Sequence, residues 1–232
     1  MEKTHIRSYF RTFFLILHVV LVFDMKKIIY NKYDKALISN LPVAEFKGRI
    51  IVVMSAGETE KAVNYLLSQP MLGVDTETRP SFRKGDIHKV ALLQVSTIDT
   101  CFLFRLNMTD ITPAIMRLLE NTQVPMIGLS WHDDILSLQR RRQFTPGRFI
   151  DLQDLVGELG IEDLSLQKIF ANIFQQKISK RQQLTNWDAA VLSEKQKCYA
   201  ATDAWACLKL YGEIRRLIDS HDYELISVQD EL

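Results

Sequence analysis

The sequence has few cysteines, no internal repeat, almost no net charge and no apolar run long enough to cross a bilayer. Cysteine occurs three times in 232 residues, at Cys101, Cys198 and Cys207. An odd number of thiols among apolar neighbours, with no CxxC pair, does not make a disulfide framework and argues against a structural zinc site. It suits reduced, packed thiols, so a cytoplasmic location is expected. The formal net charge is +1. That neither requires nor excludes a nucleic-acid partner, because an acidic metal centre can offset a basic groove in the total. Local basic clusters do occur, Arg140–Arg141–Arg142 with Arg148, and Lys177–Lys180–Arg181. Each reads equally well as a solvated face. With 47% apolar and 25% charged residues, the composition is that of an ordinary globular protein able to bury a core without staples.

The apolar run FFLILHVVLVF occupies residues 13–23. A bilayer span needs roughly 20 residues, so no stable membrane association is expected from it. Three readings are open: a signal-peptide core with no small-residue cleavage site after it, an added apolar helix, or an extension upstream of a true start at Met25. The last is favoured, since the remainder reads as a reduced intracellular enzyme. Residues 1–24 are therefore expected to be an extension and 25–232 one domain.

From about residue 50 strand-like and helix-like segments alternate. Strands are expected at 49–55, 71–78, 90–97, 100–106, 124–130 and 149–152, with 90–97 and 100–106 forming a hairpin. Helices are expected at 57–69, 111–120, 131–142, 151–159, 165–174 and 193–218, with Thr112 as N-cap before Pro113. Local strand pairing followed by alternation with helices predicts an α/β fold with a mixed central sheet flanked by helices.

Acids stand at the ends of these elements. In Gly73-Val74-Asp75-Thr76-Glu77-Thr78, residues two apart on a strand project together, so Asp75 and Glu77 share a face. Two adjacent carboxylates repel unless a cation neutralises them, and hard oxygen donors suit Mg²⁺ or Mn²⁺. In Ser130-Trp131-His132-Asp133-Asp134-Ile135-Leu136, acids fall in the first turn of a helix, where one can cap and the other serve a metal. Asp134 is assigned to the site and Asp133 to capping or solvent. His132 is read first as a polar surface residue. Tyr199 and Asp203 lie four apart on one helix face, among alanines that permit close packing on a sheet. No Lys or His is expected near the converging acids. Together these four carboxylates and a tyrosine suit phosphoryl chemistry with two cations clamping the attacking and leaving oxygens.

The chain resembles the DEDD superfamily of 3′-5′ exonucleases, in its DEDDy branch, and within that the ribonuclease D and Werner-syndrome-type exonuclease domains. The segments that carry the likeness are LGVDTETRP (72–80), VALLQVST (90–97), IGLSWHDDILSL (127–138), SLQKIF (165–170), TNWD (185–188) and LSEKQKCYAATDAWACLKLY (192–211). The last is the most specific. The likeness covers about residues 45–218. It departs at Thr78-Arg79-Pro80, and Asp133 adds an acid beside Asp134.

The resemblance implies a ribonuclease H-like fold and hydrolysis of phosphodiester bonds from a 3′ end, releasing nucleoside 5′-monophosphates. It implies that Asp75, Glu77, Asp134 and Asp203 hold two divalent cations, Mg²⁺ or Mn²⁺. Tyr199 would position the attacking water, since a phenol titrating near pH 10 is a poor base. The partner would be single-stranded or 3′-ended nucleic acid, DNA or RNA, with no small organic cofactor. Arg79, Lys84, Gln94, Trp131, Arg140, Arg141 and Arg142 are candidate contacts to it, although Gln94, on a sheet, reads equally well as structural. Two other readings remain: a nucleic-acid-binding module of the same fold without strong catalysis, and a haloacid dehalogenase-type phosphatase. The latter would need DxD where this chain has Glu77.

Overall fold

The computed structural model describes residues 26–83 and 85–229. The apolar run at 13–23 and Lys84 lie outside the described residues. A six-stranded mixed sheet has the order β2-β5-β4-β3-β6-β7. Its strands are β2 (Arg49–Val53), β3 (Leu72–Thr78), β4 (Val90–Ser96), β5 (Thr100–Arg105), β6 (Met126–Gly128) and β7 (Phe149–Asp151). β3, β4 and β5 are antiparallel neighbours. β2, β6 and β7 join in parallel outside them. This is the expected mixed sheet flanked by helices, and the hairpin between β4 and β5 is present.

Every residue of β4 is buried, as its apolar sequence requires of a central strand. On β3 the two faces separate. Leu72 and Val74 enter a core with Val63, Leu66, Ile115 and Leu118. These come from α2 (Ala56–Leu66) and α4 (Pro113–Leu119); α1 is the short turn Lys35–Ile38 and α3 is Leu106–Thr109. Thr112 caps α4 as expected, accepting from the Ile115 N–H. The other face of β3, Gly73, Asp75 and Glu77, lies under the last helix.

That helix, α8 (Glu194–Ser220), follows α5 (Trp131–Gln139), α6 (Leu152–Val156) and α7 (Leu166–Phe174). Its start is fixed by a capping box in which Ser193 and Gln196 each satisfy the other's backbone N–H. Ala200, Ala201 and Ala204 are fully buried against the sheet. A Cβ at Gly73 would stand 2.1 Å from the Ala204 carbonyl oxygen and 3.0 Å from Leu208 Cβ. Glycine below and alanines above thus let α8 lie closer to β3 than larger residues allow.

The sequence pattern did not point to a second sheet. β1 (Lys27–Tyr30) pairs in parallel with β8 (Tyr223–Ile226), and Lys27 forms an ion pair with Glu213 on α8. Four-residue strands from opposite chain ends carry too little periodicity to be read. No helix among the described residues is long and apolar enough to cross a membrane.

Gly73→Ala is expected to lower stability by about 1–3 kcal/mol, the usual cost of overpacking. Gly212, also on α8, has nothing within 4 Å of an added Cβ, so Gly212→Ala should raise it by about 0.5–1 kcal/mol. Thermal melting of both variants checks the pair; a Gly73→Ala protein as stable as the parent would mean that α8 has room to spare.

Candidate active site

Three acids meet where β3 passes beneath α8. The ligand-type oxygens of Asp75, Glu77 and Asp203 all lie within 4.8 Å of one another. Alternation along β3 brings in the first two, and the close approach of α8 brings in the third. Glu77 is 8% exposed and Asp203 5% exposed. One carboxylate oxygen of Asp203, Oδ1, has no hydrogen-bond partner among the described residues. Burial pushes the Glu77 carboxyl up to about 10, helped by the charges of Asp75, Asp203 and Asp134. Asp75 is held well above the usual carboxylate range by burial and then by Asp203 and Asp134. Asp203 rises to about 7, again through burial, with the Tyr199 phenol and Lys180 opposing the shift. Buried like charges with an unpartnered oxygen are costly in a metal-free protein. A divalent cation removes that cost, and three hard oxygen donors suit one.

These acids face a cavity of about 280 Å³. Its walls include Thr76, Ser165, Lys180, Gln183 and Tyr199. Lys180 overturns the expectation that no cation stands near the acids. The sequence displayed the Lys177–Lys180–Arg181 cluster but offered no means of placing it, because it lies in an irregular segment with no period to fix its direction.

Asp134 sits beside this group rather than within it. It accepts from the Thr76 hydroxyl, and burial raises its carboxyl to about 6, opposed by that hydrogen bond. Its charge still reaches Asp75 and Glu77. Asp133 is exposed and does not cap α5. Asp151, at the end of β7, does so instead: its carboxylate accepts from Ser130 N–H at 2.9 Å and Trp131 N–H at 2.8 Å. The same carboxylate caps α6 through Gln153 N–H. A cap supplied from 20 residues away along the chain leaves no local sequence signal. His132 is exposed.

Tyr199 lies one turn before Asp203 and tilts against the buried Trp187, ring centroids 6.0 Å apart. Burial and the Asp203 carboxylate push its phenol further up, so it remains protonated at neutral pH.

The expected nucleic-acid contacts divide. Arg79 and Arg140 are exposed. Trp131 is 3% exposed, stacked over Gly128, where a Cβ would stand 1.5 Å from its Nε1, so it is a packing residue. Arg141 is committed inward, donating to the Val90 carbonyl at 2.6 Å and to Asp110 at 3.3 Å. Gln94 is fully buried, directly opposite Asp75 in the β3–β4 register. Neither of its amide atoms has a partner among the described residues. These three cannot meet a strand in solvent.

A family model described as 3′-5′ exonuclease matches residues 50–219. The mouse (Mus musculus) bifunctional 3′-5′ exonuclease/ATP-dependent helicase WRN is 29% identical over 191 residues, covering 78% of this chain and 14% of that protein. An Arabidopsis thaliana 3′-5′ exonuclease is 28% identical over 197 residues, covering 78% of this chain and 68% of its own. The chain thus spans a small part of the mouse protein and about two thirds of the plant one. Among solved structures, the Aedes aegypti Nibbler EXO domain superposes with a TM-score of 0.71 at 20% identity, covering 78% of this chain and 95% of that one. Escherichia coli RNase D superposes with a TM-score of 0.63 at 18% identity, covering 78% and 52%. The shared fold is the ribonuclease H-like one.

The raised carboxyls give a stability profile with a definite sign. The metal-free folded state keeps protons that unfolded carboxyls, titrating near 4, have released, so stability falls as pH rises above about 4. The fall continues through Asp134 at about 6 and Asp203 at about 7 toward Glu77 at about 10. In chelator, melting temperature should therefore decline from pH 5 to pH 8, and Mn²⁺ should reverse the decline. Glu77→Gln should flatten the metal-free profile and abolish the Mn²⁺ response. Calorimetry at three pH values, with and without Mn²⁺, decides; an unaltered Mn²⁺ response in Glu77→Gln would remove this residue from the metal group.

Proposed function

This chain belongs to the 3′-5′ exonuclease family, and we propose that it removes nucleotides from the free 3′ end of a nucleic-acid strand as nucleoside 5′-monophosphates. The observation that carries the reading is the meeting of Asp75, Glu77 and Asp203 within 4.8 Å at the floor of a cavity, with Tyr199 on its wall. Asp75, Glu77 and Asp203 would hold one divalent cation, Mg²⁺ or Mn²⁺, and Asp134 with Asp75 would support a second. When bound, such ions neutralise charge on the phosphate and on the oxygens that enter and leave it.

The chain's own residues have definable tasks. The attacking water forms a new P–O bond as the bond from phosphorus to the 3′ oxygen of the penultimate nucleotide breaks. That oxygen takes a proton and becomes the new 3′ hydroxyl, while the water gives one up. Tyr199, protonated across the neutral range, is suited to orient the water or a phosphate oxygen by donating a hydrogen bond, not to act as the base. Lys180 adds positive charge at the cavity wall, where a phosphate would sit. The Thr76 hydroxyl fixes Asp134. The full set of acids favours catalysis over binding alone, and Glu77 in place of a second Asp disfavours the phosphatase.

End-labelled DNA and RNA oligonucleotides with 3′ hydroxyls should be shortened stepwise in Mn²⁺, and EDTA should stop it. A 3′ phosphate should slow attack, and cutting of a circular single strand would contradict end recognition. Asp203→Ala should lose nearly all turnover. Asp134→Asn should lose roughly 10–100-fold, as expected of a residue supporting metal ligands, while Asp133→Asn stays near the parent rate. Reversal of the last two would move the site by one residue.

A further inference from the structure

Gln94 lies in the middle of β4 and is fully buried, yet neither its Nε2 nor its Oε1 has a hydrogen-bond partner among the described residues. A buried amide without a partner is costly, and an apolar residue of the same size would fill the place without that cost. The rest of the strand shows that apolar residues suit it: Val90, Ala91, Leu92, Leu93 and Val95 are all buried. An orphaned amide in such a strand calls for a reason beyond packing.

Its surroundings narrow the choice of partner. Residues two apart on a strand share a face, so Gln94 lies on the side of Leu92, which packs with Ala200 and Ala201 of α8. Its cross-strand neighbours are Asp75 on β3 and Leu103 on β5. Leu103 and the two alanines offer nothing polar from their side chains. Ser96, the next residue on that face, already donates to the Thr97 carbonyl at 2.7 Å. Side chains directly opposite in an antiparallel pair stand about 4.5–5.5 Å apart at Cβ, within reach of a glutamine amide. Asp75 is thus the polar side chain set beside Gln94, on the face where it meets Glu77 and Asp203.

We propose that Gln94 is a positioning residue for the metal group: its Nε2 donates to one oxygen of the Asp75 carboxylate and leaves the other oxygen turned to the cation. The assignment rests on the metal-dependent exonuclease reading. The terminal torsion of an aspartate is broad, so a carboxylate at a strand end needs an outer partner to fix which oxygen faces the ion. A neutral amide provides that donor without adding a positive charge that would compete with the ion. Its place inside the central strand of the sheet holds the donor still, and the role requires no contact with substrate.

Isothermal titration calorimetry with Mn²⁺ compares the parent with Gln94→Met and Gln94→Leu, which remove the amide and nearly keep the volume. Both variants should bind Mn²⁺ on the order of 10–100-fold more weakly, the usual loss when the outer partner of a metal ligand is removed. In EDTA both should melt no lower than the parent, because the orphaned amide is gone. The Mn²⁺ concentration that half-activates shortening of an end-labelled oligonucleotide should rise by the same factor as the dissociation constant. A merely structural glutamine would give the opposite pattern, a lower melting temperature with Mn²⁺ affinity unchanged. In the parent protein, the Gln94 side-chain amide protons, assigned by NMR through their proximity to Leu103, should shift downfield as Mg²⁺ is added, and this measurement stands even where a variant fails to fold. Parent-like Mn²⁺ affinity in a folded variant, or amide protons that Mg²⁺ leaves unmoved, overturns the assignment. A parent protein that takes up no Mn²⁺ overturns the metal reading itself, a result distinct from parent-like binding in the variants.

Discussion

The close approach of α8 to β3 is the constraint on which the rest of the site depends. Gly73 leaves no Cβ beneath the Ala204 carbonyl, and Ala200, Ala201 and Ala204 are the small side chains that let the helix settle. Asp203 follows Ala201 and Thr202 on this helix, so its reach toward Asp75 and Glu77 is set by the depth at which the alanines pack. Thr202 helps to fix that depth from the outer side, its hydroxyl accepting from the Phe46 backbone N–H at 3.0 Å. Packing and chemistry share one contact: what makes the helix fit also completes the acid group.

That arrangement carries an electrostatic penalty. Desolvation and mutual repulsion raise the carboxyls of Asp75, Glu77 and Asp203 together, and the side chains that oppose the rise at Asp203 are Lys180 and Tyr199. A purely structural cluster of this kind would be better replaced by apolar residues of the same size. Its presence in a largely apolar core fits a site kept for a ligand, where the ligand supplies the missing positive charge.

The buried residues around the site illustrate how a face decides a role. Trp131, Arg141 and Gln94 have side chains that could all serve a nucleic acid, yet Trp131 covers Gly128, Arg141 closes on the Val90 carbonyl and Gln94 lies inside the sheet opposite Asp75. Asp151 shows the converse. A strand-end acid with no motif around it caps the N-termini of two helices at once, including the one that carries Asp134.

The sequence alone determined the mixed sheet, the order of its strands and helices along the chain, and the pairing of Asp75 with Glu77 on one face, because strand alternation and helical period are local properties. Tyr199 and Asp203 were legible as a pair for the same reason, and family resemblance joined them to the strand. Tertiary structure alone decided which acids converge: Asp75, Glu77 and Asp203 meet, while Asp134 is held to one side by Thr76. It also placed Lys180 in the cavity, gave the α5 cap to Asp151, paired β1 with β8 across almost the whole described chain, and turned three expected contacts inward. Each of these depends on residues distant in sequence, whose distance and facing are fixed only when the helices have packed.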